Sequence, residues 1–398
     1  MKILFVTTIS DTVNAFLIPH IQMLINSGHQ VDLAFDIHSE VDPRISDMGC
    51  IIHSISFKRS IKNKKNLTAF KNIRALIKKE RYHLIHTHTP IASVLTRLAY
   101  ITVPGLDTSI VYTAHGFHFF NQAPLINWLL YYPVEKFLSR YTSVLVTMNN
   151  EDYQRAIRKF RADHTRLVNG VGVNLDKFSP CSQRDKMQLR KKYGYSEDVF
   201  ILFYAAEFSQ RKNQMLLIHA INRLKNKIPA VRLLLAGTGD LLEPCRNLIE
   251  QLHIREHVQL LGYQKNIHEL LTISDAAVSS SRQEGLPVNI MEAMATGLPV
   301  IATRCRGNRD LVSHGYNGIL VDIDNIAQMA EAIQAIFANK TLQATYGKNS
   351  LKRIEAYSLS CVLAEMKKIY NLVMPMNDHK QQKTFCSKKT TKTEPAKR

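Results

Sequence analysis

Short apolar runs and longer stretches of helical period alternate from the first residues onward. Ile3 to Val6 is an apolar run, a polar turn follows, and Phe16, Leu17, Ile21, Leu24 and Ile25 recur at helical spacing. After Gly28 a second run spans Val31 to Phe35. This succession predicts strand, helix, strand. Further strand-like runs at Leu84 to His86, Ile110 to Tyr112 and Ser143 to Thr147 are separated by helical or mixed segments. A second series follows the polar stretch Cys181 to Tyr193, at Phe200 to Tyr204, Val231 to Ala236, Val258 to Leu261, Ala276 to Ser279 and Pro299 to Ala302. Alternation of this kind predicts α/β architecture, with parallel sheets covered by helices on both faces. Two series predict two Rossmann-like doubly wound domains in tandem.

The break between them falls near Phe178 to Lys186, where Pro180 and a polar cluster interrupt the apolar pattern. We divide the chain into residues 1–180 and 181–356. A last helical segment, 357–375, carries Val362, Met366, Ile369 and Tyr370 at helical spacing. The tail 376–398 is polar and basic and is expected to be disordered.

Composition narrows the class. With 398 residues, 45% hydrophobic and 21% charged, the chain is neither low-complexity nor a disulfide scaffold. A formal net charge of +19 implies a polyanionic neighbour: nucleic acid, an anionic membrane face or phosphorylated substrates. Its six cysteines are spread singly, with no zinc-ligand spacing, so no structural metal is expected and a reducing cytoplasm is the simplest home. No apolar run approaches the ~20 residues that span a bilayer, so any membrane contact is expected from the surface.

Ligands of open parallel sheets bind beyond the carboxyl ends of the strands, which directs attention to the residues just after each run. After Phe200 to Tyr204 comes Ala206-Glu207-Phe208-Ser209-Gln210-Arg211-Lys212-Asn213, two adjacent cations before a helix, suited to a diphosphate or equally to a solvated turn. Gly237-Thr238-Gly239 lacks the third glycine of a dinucleotide fingerprint, and the first strand is followed by no glycine, so NAD binding is poorly supported. The richest segment runs from Ser279 to Val300. Its carboxylates Glu284 and Glu292 bracket a Gly-Leu-Pro turn and the start of a short helix, an arrangement that can grip sugar hydroxyls while backbone amides face phosphate.

The stretch from Glu284 to Glu292, continuing Ala293-Met294-Ala295-Thr296-Gly297-Leu298-Pro299, resembles the signature of the retaining glycosyltransferases of family 4, which adopt the two-domain GT-B fold. Val168-Asn169-Gly170-Val171-Gly172-Val173, the Lys212 segment, Ala236-Gly237-Thr238-Gly239 and Leu261-Gly262-Tyr263 fall in the family's order. The resemblance covers Met1 to about Val373. It implies that Glu292 binds the nucleotide ribose, Glu284 hydroxyls of the donor sugar and Lys212 the diphosphate. The backbone of Gly285, Leu286, Pro287, Val288 and Asn289 would meet the distal phosphate, Gly262 and Tyr263 the base, and His115 the cleft near donor sugar and acceptor. The family usually has Gly-Arg where this chain has Ala206-Glu207, which leaves Arg211 as the local candidate for a second diphosphate cation.

His86-Thr87-His88-Thr89-Pro90 and Tyr112 to Phe117 resemble the subgroup that assembles bacterial capsules and exopolysaccharides. The implied partners are a nucleotide-sugar donor, a UDP-sugar by expectation, and a lipid-linked or other glycan acceptor, with no metal cofactor. The helix over 357–375 would pack back on the amino-terminal domain. The implied reaction retains configuration: the acceptor attacks from the face the leaving group vacates, and a phosphate oxygen receives its proton. The alternatives are a nucleotide-sugar epimerase on the same fold and a nucleic-acid-binding protein. No helix-turn-helix, zinc finger or aromatic-basic strand supports the latter.

Ten Lys or Arg and one acid lie between Lys58 and Arg81, with Leu67, Phe70, Ile73, Leu76 and Ile77 at helical spacing. A core-packed helix with a solvated basic face explains this, and so does attraction to anionic lipid at the inner face of the cell membrane.

Overall fold

The computed structural model of the protein describes residues 1–58 and 63–374; the basic residues Arg59 and Lys62 and the tail 376–398 lie outside the described residues. Thirteen described strands form two all-parallel sheets. The first holds β1 (Lys2–Ile9), β2 (Gln30–Asp36), β3 (Ile51–Ser54), β4 (Leu84–His88), β5 (Ser109–Ala114), β6 (Val144–Thr147) and β7 (His164–Leu167), in the order β3-β2-β1-β4-β5-β6-β7. The second holds β8 (Phe200–Ala205), β9 (Val231–Ala236), β10 (Val258–Gly262), β11 (Ala276–Ser279), β12 (Val300–Thr303) and β13 (Gly318–Val321), in the order β10-β9-β8-β11-β12-β13. This is the GT-B architecture.

Helices cover both faces of each sheet, so the inner strands are buried on both sides and read as unbroken apolar runs. Around β8 and β9, Phe200, Leu202, Leu233 and Leu235 pack on one face, and Ile201, Phe203 and Leu234 on the other. Strand direction of travel across the sheet reverses between β1 and β4 and again between β8 and β11. Crevices form beyond the carboxyl ends at such switch points. Thr8 and Thr89 meet at the first, their hydroxyls 2.7 Å apart, and Glu207, Lys212 and Glu284 follow the strands of the second.

The helix Leu359–Val373 follows the second sheet in sequence, yet Val362, Met366, Ile369 and Tyr370 are buried with Ile3, Phe5 and Ile21 of the first. Tyr370 also hydrogen-bonds His86 of β4, 2.8 Å from its Nδ1. The basic helix runs Lys65–Glu80, and its inward positions are Asn66, Ala69, Ile73 and Ile77. Leu67, placed on the apolar face by its spacing, is instead 62% exposed. Asn66 takes the inward place at the helix start, where its side chain both donates to and accepts from the Lys58 backbone.

Candidate functional site

Between the switch points the two halves touch through backbone. A Cβ on Gly285 would lie 1.7 Å from the His115 carbonyl oxygen, so only glycine permits this approach. Gly116, at φ +138°, faces Gly285 from the other side. Arg306 fastens the contact. Its guanidinium donates to the Glu284 carbonyl at 2.9 Å and to the Asp152 carboxylate at 2.7 Å, and Arg306 and Asp152 are both fully enclosed. Asp152 also accepts from the Phe117 amide and the Asn149 side chain.

On the carboxy-terminal side, the Lys212 ammonium meets Glu284 Oε1 at 2.5 Å, and Ser281 donates to the same oxygen at 2.6 Å. Tyr204 and Ser281 hydroxyls are 2.7 Å apart, and Ser280 donates to the Lys212 carbonyl. The turn that carries the two cations is thus tied to the end of β11, with Asn213 in the left-handed region at φ +53°. Arg211 stands between two carboxylates, 3.8 Å from Glu207 and 4.0 Å from Glu284. The acidic residue at position 207 therefore holds a cation at the site.

Gly285 to Pro287 lead into the helix Val288–Ala295, whose first amides have no intrahelical partner. Asn289 anchors that start by donating to the Ala205 carbonyl. Glu292, on the same helix, is half-buried, and desolvation pushes its carboxyl up to about 7 although Lys177 pulls the other way. A cleft of about 470 Å³ opens beyond the carboxyl ends of β8, β9 and β10, walled by Ala206, Glu207, Gly237, Thr238 and Tyr263. A Cβ at Gly237 would lie 2.0 Å from the Ala206 carbonyl oxygen, which explains the glycine as a close-approach position as well as a turn. Tyr263 is 73% exposed at the rim, and Gly262 accepts from the Gly237 amide at 2.7 Å.

Across the contact, His115 Nε2 lies 3.1 Å from His88 Nδ1, and His88 stacks toward His86. Burial holds His115 down to about 4 and His86 and His88 well below the usual imidazole range, so all three rings are neutral at pH 7. His118 is lowered too, by burial and then by the charges of Arg306 and Arg211, which places it within their reach.

Residues 185–353 match the family described as glycosyl transferases group 1, and residues 2–150 match glycosyl transferase 4-like. The putative glycosyltransferase EpsD of Bacillus subtilis is 38% identical over 94% of this chain and 98% of its own length. The chain belongs to family 4 of the glycosyltransferases. As a member of this retaining family, it is a glycosyltransferase with a nucleotide-sugar donor. The UDP-Gal:alpha-D-GlcNAc-diphosphoundecaprenol alpha-1,3-galactosyltransferase of Escherichia coli is 27% identical over 78% of this chain and 81% of its own. Among solved structures, Anabaena Alr3699/HepE in complex with UDP-glucose has the same fold, with a TM-score of 0.77 at 20% identity over 94% of this chain and all of that one.

The structure of this family 4 member brings together Arg211, Lys212 and Glu284, sets Gly285 against His115, and places Glu292 one helix turn further along. It adds Tyr204, Ser281, Asp152 and Arg306, to which the sequence reading gave no role, and His88, which that reading quoted only within a subgroup motif. Ser281 lay inside the recognised segment as one of three consecutive serines. The Asp152–Arg306 pair spans 154 residues and has no local signal. Among the described residues no group of three or more His, Cys, Asp or Glu is arranged to hold a metal ion, and no helix is long and apolar enough to cross a membrane.

Proposed function

We propose that the protein transfers a hexosyl or N-acetylhexosaminyl group from a UDP-sugar, with retention, to a lipid diphosphate-linked glycan during assembly of a surface polysaccharide. The observation that carries this reading is the Lys212–Glu284 pair, held at the carboxyl edge of the second sheet and facing His115 across the Gly285 contact. The relation to a transferase named for an undecaprenol diphosphate acceptor supports the acceptor class.

In this reading residues 181–356 bind the donor, residues 1–180 bind the acceptor, and the helix within 357–375 belongs structurally with the acceptor half. The base lies along Gly262 and Tyr263 and the ribose hydroxyls donate to Glu292. Lys212 and Arg211 neutralise the diphosphate, together with the amides from Gly285 through Leu286 to Asn289 beyond Pro287. Glu284 accepts from donor-sugar hydroxyls. As the anomeric carbon to oxygen bond breaks, negative charge grows on the departing diphosphate, where these cations and dipoles act most strongly. The acceptor oxygen bonds to the anomeric carbon on the vacated face and passes its proton to a phosphate oxygen. Neutral His115 lines the acceptor side as a hydrogen-bonding group. Charge stabilisation by Lys212, Arg211 and helix amides makes a metal unnecessary, and the reaction takes place at the inner face of the cell membrane.

The test is incubation with a panel of UDP-sugars, with and without polyprenyl diphosphate-linked saccharides, in excess EDTA. Acceptor-dependent UDP release and a lengthened lipid-linked product are expected. An epimerised nucleotide sugar without transfer, or activity that only magnesium restores, overturns the reading.

A further inference from the structure

The helix Leu125–Leu138 inverts the usual order of a surface helix, which turns its apolar stripe to the core and its charges to water. Its buried residues are Glu135 and Leu138, whereas Leu125 is 80% and Leu129 71% exposed, and Ile126, Leu130, Val134 and Phe137 are exposed beside them. The orientation is anchored. Buried Arg97 donates to the Glu135 carboxylate at 2.7 Å and lies 4.2 Å over the Tyr112 ring, and the Tyr112 hydroxyl reaches Glu135 as well. Rolling the helix to hide its leucines would strip a buried ion pair, which is strongly unfavourable. A contiguous exposed apolar ridge of this size marks a surface with a partner.

Two observations identify that partner. The ridge is flanked by cations: Asn66, at the start of the basic helix, lines one cavity together with Leu130 and Val134, and the same helix exposes Lys64, Lys65, Lys71 and Lys78. That cavity, about 120 Å³ and almost wholly apolar, shares Pro90, Ile91 and Tyr131 with a second of about 250 Å³. The second is bordered by Thr8, Thr89 and His118, beyond the carboxyl ends of β1 and β4. An apolar surface fringed by cations, with an apolar cavity that adjoins one at the carboxyl ends of β1 and β4, suits a lipid leaflet. A second copy of a chain with net charge +19 would instead bring cations against cations.

We propose that the helix Leu125–Leu138 is the membrane-docking element of the protein: its leucines, Ile126 and Phe137 enter the acyl region of an anionic leaflet while the basic helix rests on the headgroups. Docking deepens the lipid-linked reading of the acceptor. It is testable without sugar chemistry, since UDP release in detergent solution reports transfer independently.

Trp128, the sole tryptophan, packs away from the ridge against Phe119, Tyr132 and Arg155, so the probe is Ile126→Trp in a Trp128→Phe background. The full chain is mixed with phosphatidylcholine vesicles, with and without phosphatidylglycerol, some carrying bromine on the acyl chains. Binding to the anionic vesicles and quenching of the Ile126→Trp probe by brominated chains are expected. Leu125→Ser with Leu129→Ser should weaken partitioning by roughly tenfold or more and abolish quenching at any salt concentration. Reversing Lys64, Lys65, Lys71 and Lys78 to Glu should weaken binding at low salt only, because exposed charges are screened. The proposal is overturned if the leucine variant binds as the parent does, or if bound protein shows no quenching. It is also overturned if the parent ignores vesicles and the leucine variant turns a dimer into a monomer.

Discussion

The two halves share an architecture but build their ligand-facing edges in opposite ways. The carboxy-terminal edge is made of close backbone approaches and charges pinned by neighbours: Gly237 against Ala206, Gly239 against Phe208, and Lys212 held by Glu284, which Ser281 holds in turn while Tyr204 meets Ser281. The amino-terminal edge is made of buried neutral imidazoles and a helix that presents leucines outward. A nucleoside diphosphate has fixed size and charge, so a site for it gains from rigidity fixed in advance. The acceptor proposed for the other half, a saccharide on a hydrocarbon anchor, would arrive from a surface, which suits an edge with an outward apolar ridge. The contrast is sharpest where the halves meet, because Arg306 bonds the Glu284 loop and Asp152 together.

Breaking that junction should have the largest effect. Arg306→Met takes from buried Asp152 its hydrogen-bonded cation and leaves the Phe117 amide, the Asn149 side chain and Arg155 at 3.8 Å, and losing one partner of a buried pair costs about 3–5 kcal/mol. A lower thermal midpoint is expected, together with weaker UDP binding because the Glu284 carbonyl loses its donor. If calorimetry gives the parent's midpoint, the pair is not what joins the halves.

The next effect isolates the pinned edge. Lys212→Ala should lower kcat by ~10²–10³, as expected for removal of one preorganised group that stabilises developing charge. The same substitution should leave vesicle binding untouched, just as Leu125→Ser with Leu129→Ser should leave UDP binding untouched. A kcat within a few-fold of the parent's would remove Lys212 from the phosphate site.

How legible each edge was in the sequence follows from the same physics. Inner strands are covered on both faces, so β1, β8 and β9 stand out as apolar runs, as does the parallel α/β class. Three strands went unread: Ile51–Ser54 and His164–Leu167 mix polar with apolar residues, and Gly318–Val321 offers only the short run Ile319-Leu320-Val321. All are sheet edges, where one side is unpaired and polar residues are tolerated. The edge proposed for the donor was legible because its glycines and carboxylates fall at short, fixed spacing around Gly285. The Asp152–Arg306 junction was not, since its partners come from different halves. The outward leucines were missed for another reason: Leu125, Leu129, Trp128 and Leu138 are all apolar, and periodicity cannot say which side faces the core until buried Glu135 shows it.

The smallest effect sharpens the comparison through protons. Burial raises Glu292 to about 7, above an unfolded carboxyl near 4.5, so the folded protein holds this proton where the unfolded chain has lost it. Stability from this group is therefore full below about pH 4.5 and declines as pH rises through 7. The imidazoles of the other half act in reverse: His115, held down to about 4, favours the folded state fully above about 6.5 and loses that contribution as pH falls. A carboxylate, unlike a carboxylic acid, offers both oxygens to ribose hydroxyls. If the ionised form alone binds, UDP affinity should rise roughly tenfold between pH 6 and pH 8 and binding should release a proton near pH 7. Glu292→Gln should bind more weakly, with a flat profile and no proton release. Isothermal titration in buffers of different ionisation enthalpy reads both quantities, and an unchanged pH dependence in Glu292→Gln would place the titrating group elsewhere in the cleft.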